Sequence, residues 1–252
     1  MNHIADIMTW NDGIFSYEDY LPARDRDDAV FLLERNKKEF VWNTLTNFEG
    51  IPITLAQTEI ILDGTSVSNV SISDLLKVKR FGDAVEGMIS LIHNDGFAVN
   101  KQTVCALHSA IGKDEIRHDR GMFRTREVGL NRVNYKPRDS LKLDDLWNEG
   151  CRIVNGIGNT LEKACAMFLF MSRSQFFEDC NKRTALLMAN GILINGGLQP
   201  FLIPRSDRER FLSTLTDFYE TGFADDGLLL LREYATGKPP SKEENENTGP
   251  SM

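Results

Sequence analysis

One short stretch of this chain concentrates groups that do phosphate chemistry. From Gln175 to Arg183 it reads Gln-Phe-Phe-Glu-Asp-Cys-Asn-Lys-Arg, with a carboxylate (Asp179), an amide (Asn181) and two cations (Lys182, Arg183) almost adjacent. Apolar runs flank it: Leu161 to Met171 before, and Ala185 to Ile194 after, the second closed by Gly196-Gly197. Both flanks read as buried helices, so the second helix starts inside the polar stretch. A helix start carries unpaired N–H groups and the positive end of the macrodipole. An anion is well held there, and Lys182 and Arg183 add full charges beside it. From the residues alone, this is a phosphate site. Cys180 stands at the same helix start beside two cations, a setting that lowers a thiol pKa. The plainer reading makes it a small residue tolerated at a tight position.

Most other segments are helical by period. Asp25 to Thr46 places Ala29, Leu32, Leu33, Phe40, Val41 and Leu45 near a 3.6-residue repeat, and Gly50 and Pro52 stop it. A shorter helix from Thr54 to Leu62 ends at Asp63-Gly64. Val67 to Ile72 alternates and reads as extended, Ser73-Asp74 caps a helix running to about Asn94, and Asn100 caps another. Leu143–Ile153, Asp207–Tyr219 and Leu228–Tyr234 complete the set, with His93 and His108 as packing or surface groups on their helices. The strand signal is Phe123 to Val133, rich in Arg, Thr and Val around Gly-Leu-Asn. The first residues are turn-rich and aromatic (Trp10, Phe15, Tyr17, Tyr20), and the tail from Gly237 is too polar to fold.

Size and composition set outer bounds. The 252 residues can bury a sizeable core, and a formal net charge of -8 with no basic run argues against nucleic-acid binding. Four scattered cysteines (Cys105, Cys151, Cys165, Cys180) suit reduced thiols. No apolar run reaches the length of a membrane span, and no secretory signal is visible, so a cytoplasmic location is expected.

The polar stretch resembles the signature of the Fic/Doc (Fido) family, His-Pro-Phe-x-Asp/Glu-Gly-Asn-Gly/Lys-Arg. Phe177, Asp179, Asn181, Lys182 and Arg183 match without gaps, whereas Gln175 falls at the catalytic histidine, Phe176 at the proline and Cys180 at the small residue. Gly121 to Val128, trailed by Tyr135-Lys136-Pro137, resembles the family's flap, a hairpin that registers a target segment by main-chain pairing. The resemblance implies a mainly α protein: a Fido-type helical bundle with a small β-hairpin flap and an N-terminal helical extension. Its boundaries fall at 1–70 for the extension, 71–236 for the Fic/Doc-like domain and 237–252 for a disordered tail.

Roles follow residue by residue from that resemblance. Asp179 orients Mg2+ on ATP; Cys180, Asn181, Lys182 and Arg183 hold the nucleotide phosphates; Arg124, Thr125, Arg126, Glu127 and Val128 register a protein target through its Ser, Thr or Tyr hydroxyl. Family members transfer AMP or phosphate from ATP to such hydroxyls. Gln175 cannot act as the base, because a neutral amide takes no proton near neutral pH. The reading is an ATP-phosphate site with activity weak or lost. Alternatives are a Doc-like phosphotransferase using another base, Glu178 or His118, and a non-catalytic interaction module using the flap groove. Lys182 favours the Doc branch, and Leu186 stands where a second motif arginine belongs. An inhibitory helix ending in Ser/Thr-x-x-x-Glu-Gly/Asn has its counterpart at Thr58, Asp63 and Gly64, with the acid one residue late.

Overall fold

The computed structural model describes residues 1–16, 22–130 and 133–237. Tyr17, Tyr20 and the polar tail beyond Gly237 lie outside the described residues. The helices are α1 (Arg26–Phe48), α2 (Leu55–Leu62), α3 (Ile72–His93), α4 (Lys101–Ile111), α5 (Leu143–Gly156), α6 (Thr160–Ser174), α7 (Asn181–Asn195), α8 (Arg208–Thr221) and α9 (Asp225–Thr236). Side-chain caps start many of them: Asp25 for α1, Asn100 for α4, Asn159 for α6, and a full capping box of Thr54 and Gln57 for α2. The cap of α3 is Ser71, whose hydroxyl accepts from the Asp74 amide at 3.0 Å, so Val67 to Ile72 is a turn and a helix start, not an extended segment.

Helices α6 and α7 form the centre. From Ala164 to Ser174 every side chain of α6 is buried, as is every one from Arg183 to Ile194 in α7. A helix apolar on all sides has to be surrounded, and here α1, α3 and α4 cover α7 while α5 and α9 cover α6. The N-terminal elements share one continuous hydrophobic core with the rest, through Ile4, Met8, Trp10, Leu33 and Val41.

Two strands appear where turn-rich composition predicts none. β1 (Asn2–Ile4) and β2 (Met8–Trp10) pair antiparallel. Thr9 then pins the hairpin between α8 and α9: its N–H donates to the Gly222 carbonyl at 2.9 Å and its carbonyl accepts from Ala224 at 2.8 Å. Strands of three residues are too short for an alternating pattern to register in sequence.

The strand signal over 123–133 produces no strand among its described residues. The cause is Arg124. Its buried guanidinium donates to the carbonyls of Arg126 (2.8 Å) and Arg138 (2.5 Å), tying the start of the flap to its end by side chain instead of a backbone ladder. Farther out, Lys136 reaches Glu127 at 3.5 Å. The segment therefore doubles back as a loop clamped at its root. Gly121 makes that root possible: its φ is +73°, and an added Cβ would lie 2.9 Å from Ser109 Cβ.

Candidate functional site

The polar stretch crosses between α6 and α7 over residues 175–180, and a left-handed residue sits at each end: Gln175 (φ 50°) and Cys180 (φ 61°). Such backbone costs a non-glycine residue about 1 kcal/mol or more, which accounts for the glycine usual at the second position. The hydrophobic residues of the loop anchor it. Phe176 stacks on Phe123 at 4.8 Å and meets Trp147 and Phe170 edge-on, each at 5.3 Å. Phe177 lies flat on His108 at 3.8 Å. The Arg124 backbone N–H and Nε donate to the carbonyls of Phe176 (2.9 Å) and Gln175 (2.7 Å), so the flap root is tied directly to the loop.

A cleft of about 330 Å³ opens above this loop. Its floor is Gln175 and Glu178 to Lys182, one wall is α8 (Leu215, Tyr219), and Gly129, Leu130 and Val133 of the flap reach over it. No side chain caps α7, so the amides of its first turn keep the orphan donors of a helix start. Lys182 lines the cleft with its ammonium 5.9 Å from the Phe48 ring, and burial depresses its pKa against the pull of Glu49 and Asp179. Asp179 is exposed, with one oxygen accepting from the Cys180 amide at 2.6 Å.

Gln175, at the expected base position, is fully committed. Its Nε2 donates to the Ser172 carbonyl at 2.6 Å, and its Oε1 accepts from Asn181 Nδ2 at 3.0 Å. Asn181 in turn braces the loop, accepting from the Phe177 amide and donating to the Phe177 carbonyl, both at 2.9 Å. The amide pair is a staple, with no group able to take a proton.

Arg183 departs furthest from its expected role. It is wholly buried and does not line the cleft. Glu115 grips it in a two-pronged pair, at 2.7 and 3.0 Å. Glu49 Oε1 lies 3.0 Å from Arg183 Nε, but that N–H is not aligned on it, so the contact is Coulombic and not a hydrogen bond. Lys77 stands 3.9 Å from both carboxylates. Burial alone would lower the Arg183 pKa; the Glu115 bond and the charges of Cys180, Glu49 and Glu115 together more than reverse it. Held in this way, Arg183 is a strut between α7, α1 and the segment after α4, and of the two motif cations only Lys182 lines the cleft.

Cys180 is likewise placed against its reactive reading. Burial pushes its thiol pKa up, outweighing Arg183, whose Nη2 is 3.1 Å from the sulfur. The ligand atoms of Glu115, Asp179 and Cys180 lie within 4.8 Å of one another. Arg183 already bonds two of the three, so the guanidinium is the cation of that cluster. Asp179 alone of the three lines the cleft free of Arg183, and a hard oxygen donor beside a phosphate cradle fits Mg2+ carried on a nucleotide.

Other expected residues divide between structure and surface. Arg124 is the clamp already described. The Thr125 amide and hydroxyl donate to Asp119 at 2.7 and 2.8 Å; Arg126 and Glu127 are exposed and Val128 half-buried. Glu178 lines the cleft, whereas His118 is exposed and does not. The α2 candidate is not brought to the loop: Thr58 bonds back to the Thr54 carbonyl at 3.0 Å, and Asp63 pairs with Lys38 at 3.0 Å. Besides Glu115, the acid that reaches the motif arginine is Glu49, at the end of α1, followed by Gly50. Its signal in sequence was the Glu-Gly pair, masked because Leu45 occupies the hydroxyl position of the pattern. Glu115 carries no such signal.

His108 also gains a sharper role. Its Nδ1 accepts from the Gly121 amide at 3.0 Å, which leaves the proton on Nε2, facing the Asp179 carbonyl at 3.3 Å. Burial holds its pKa down at about 4, against that second bond. It is a neutral bridge between flap root and loop.

Residues 98–193 match the family model described as Fic/DOC family. Among solved structures, Fic-1 from C. elegans superposes with a TM-score of 0.67 at 20% identity, over 84% of this chain and 66% of that one. A Fic domain containing signaling protein from Bacteroides thetaiotaomicron gives 0.67 at 19% identity, over 82% and 84%. A Fic family protein from Desulfovibrio desulfuricans gives 0.63 at 19%, over 80% and 64%. The chain thus spans just under two thirds of the C. elegans and Desulfovibrio chains. No curated protein matches it in sequence.

Proposed function

Because this chain carries a Fic/Fido domain, matched at residues 98–193, we propose that its cleft binds the phosphates of a nucleotide such as ATP, with Mg2+, and that transfer to a protein hydroxyl is weak or lost. The observation that carries this is the uncapped first turn of α7, opening with Lys182 into a cleft that the flap roofs. The helix amides and Lys182 hold the phosphate, and Asp179 faces its metal. Bound nucleotide would supply the electrophilic phosphorus. The chain's own residues supply orientation through the Arg124 clamp, and charge through Lys182.

Two features argue for weak transfer. A target hydroxyl needs a base, and the Gln175 amide is bonded at both ends. Loss of general-base catalysis costs about 10² to 10⁴ in rate. In addition, Glu49 lines the cleft and holds its carboxylate against Arg183, so negative charge already sits where phosphate charge would arrive. This makes Glu49 the inhibitory acid of the site, in place of Asp63.

Calorimetry tests the reading. ATP·Mg binds the full chain with measurable affinity, and Lys182→Met weakens it by about tenfold, the scale of one charge-assisted phosphate contact. Absence of heat at millimolar nucleotide, for wild type and Glu49→Ala alike, would overturn it.

A further inference from the structure

The segment between α4 and the flap carries Lys113, Arg117 and Arg120, and the flap adds Arg126, all four exposed. Its acids are consumed elsewhere. Asp114 bonds Arg80, Glu115 bonds Arg183 at 2.7 and 3.0 Å, and Asp119 accepts from Thr125 at 2.7 and 2.8 Å. Among the described residues, none of the four cations has an ion-pair partner, although other exposed lysines such as Lys79 and Lys101 do. The cations are also grouped in space. Arg120 Nη1 lies 3.3 Å from the Lys113 carbonyl, and Asp119 is held low by its Thr125 bonds first, then by the charges of Arg126 and His118. A chain of formal net charge -8 therefore presents a basic patch whose neighbouring acids are bonded to other groups.

We propose that this patch is a docking surface for an acidic segment of a partner protein, laid against the root of the flap. Clustered unpaired cations select partners by complementary charge and speed encounter. A nucleic acid fits less well. Its phosphates would run on past the patch over a molecule of net charge -8, whereas a short acidic segment can stay within the patch. A protein segment gains a further contact: from Glu127 to Leu130 the flap main chain makes no hydrogen bond among the described residues, which leaves it open to an extended chain that continues past the patch. The four cations lie outside the residues that line the nucleotide cleft, although Gly129 and Leu130 of the flap line it, so the charge-dependent contact stands or falls separately from the function proposed above.

The test is fluorescence anisotropy on the full chain with two labelled probes of equal charge, an oligoglutamate peptide and a single-stranded DNA. Oligoglutamate binds at low salt, weakens as salt rises, and loses at least about tenfold in affinity with Arg117→Glu/Arg120→Glu. The same variant leaves ATP·Mg calorimetry unchanged. Should the reversal unfold the chain, Arg117→Gln/Arg120→Gln removes the charge alone and weakens oligoglutamate several-fold. Failure of oligoglutamate to bind, binding indifferent to these substitutions, or tighter binding of the DNA would each overturn the proposal.

Discussion

Removing Glu115 separates a structural arginine from a ligand-holding one. Arg183 has no exposed surface, and Glu115 supplies both of its charge-assisted carboxylate bonds, at 2.7 and 3.0 Å. Taking away one partner of a buried pair strands the other, at a cost of about 3 to 5 kcal/mol. Glu49 stays nearby and moderates the loss, which puts Glu115→Ala near the lower end, about 3 kcal/mol. A chain of this size loses about 2 to 4 °C of melting temperature per kcal/mol, so the drop is about 6 to 12 °C. Glu49→Ala serves as the internal comparison. Its contact is unaligned and its carboxylate partly exposed, so it costs about 1 kcal/mol and a few degrees. Circular dichroism melts at neutral pH read both. An ordering in which Glu115→Ala melts within 2 °C or so of wild type, while Glu49→Ala falls further, refutes the strut. It would return Arg183 to the phosphate site.

Three more outcomes are expected. Gln175→His raises transfer of label from ATP to protein by at least about tenfold, a modest fraction of the range for a general base, and Glu49→Ala in the same chain raises it further; labelling at the α- or γ-phosphate tells AMP from phosphate transfer, and a wild type already active and indifferent to both changes would place the base elsewhere. His108 makes stability pH-dependent: its folded pKa of about 4 lies below the unfolded 6.5, so its contribution is complete above 6.5 and is lost as pH falls toward 4, on the order of 3 kcal/mol, and His108→Gln flattens that limb of the stability profile. Tyr135 lies 4.0 Å over the Arg173 guanidinium, which also bonds carbonyls of the N-terminal hairpin and of Tyr219; Tyr135→Ala therefore speeds hydrogen exchange across 133–138 while Tyr135→Phe, which keeps the ring, does not, and equal exchange in both would deny the stack any part in holding the flap.

What sequence could and could not show divides along the range of the forces involved. The central helices were legible because burial on every side demands an unbroken apolar run, and Leu161–Met171 and Ala185–Ile194 are such runs. The cap at Asn100 was legible for a similar reason, since a cap acts within three residues, whereas the cap of α3 is Ser71 and not the expected Ser73-Asp74. The flap misled for the opposite reason. Its β-branched and arginine-rich composition fits a strand, yet Arg124 closes the loop through carbonyls as far along as Arg138 and joins it to Gln175 across the fold. No local pattern encodes that.

Arg183 shows the same limit with more at stake for function. Its position in the motif assigns it to phosphate, and sequence alone gives no cause to doubt this. Two carboxylates separated from it by 68 and 134 positions decide otherwise, and each is unremarked where it stands: Glu115 among a run of mixed charge, Glu49 at a helix end. A motif fixes which groups the chain carries to a site, because spacing along a helix start is local. Whether those groups face a ligand depends on which charges arrive from other elements and whether water can reach the pair. With Gln175 bonded at both ends and Arg183 gripped by Glu115, the loop keeps its shape through the very groups the chemistry would need free. On the function proposed above, binding asks only for Lys182 and the helix amides, whereas transfer asks in addition for a base, which the Gln175 amide does not supply.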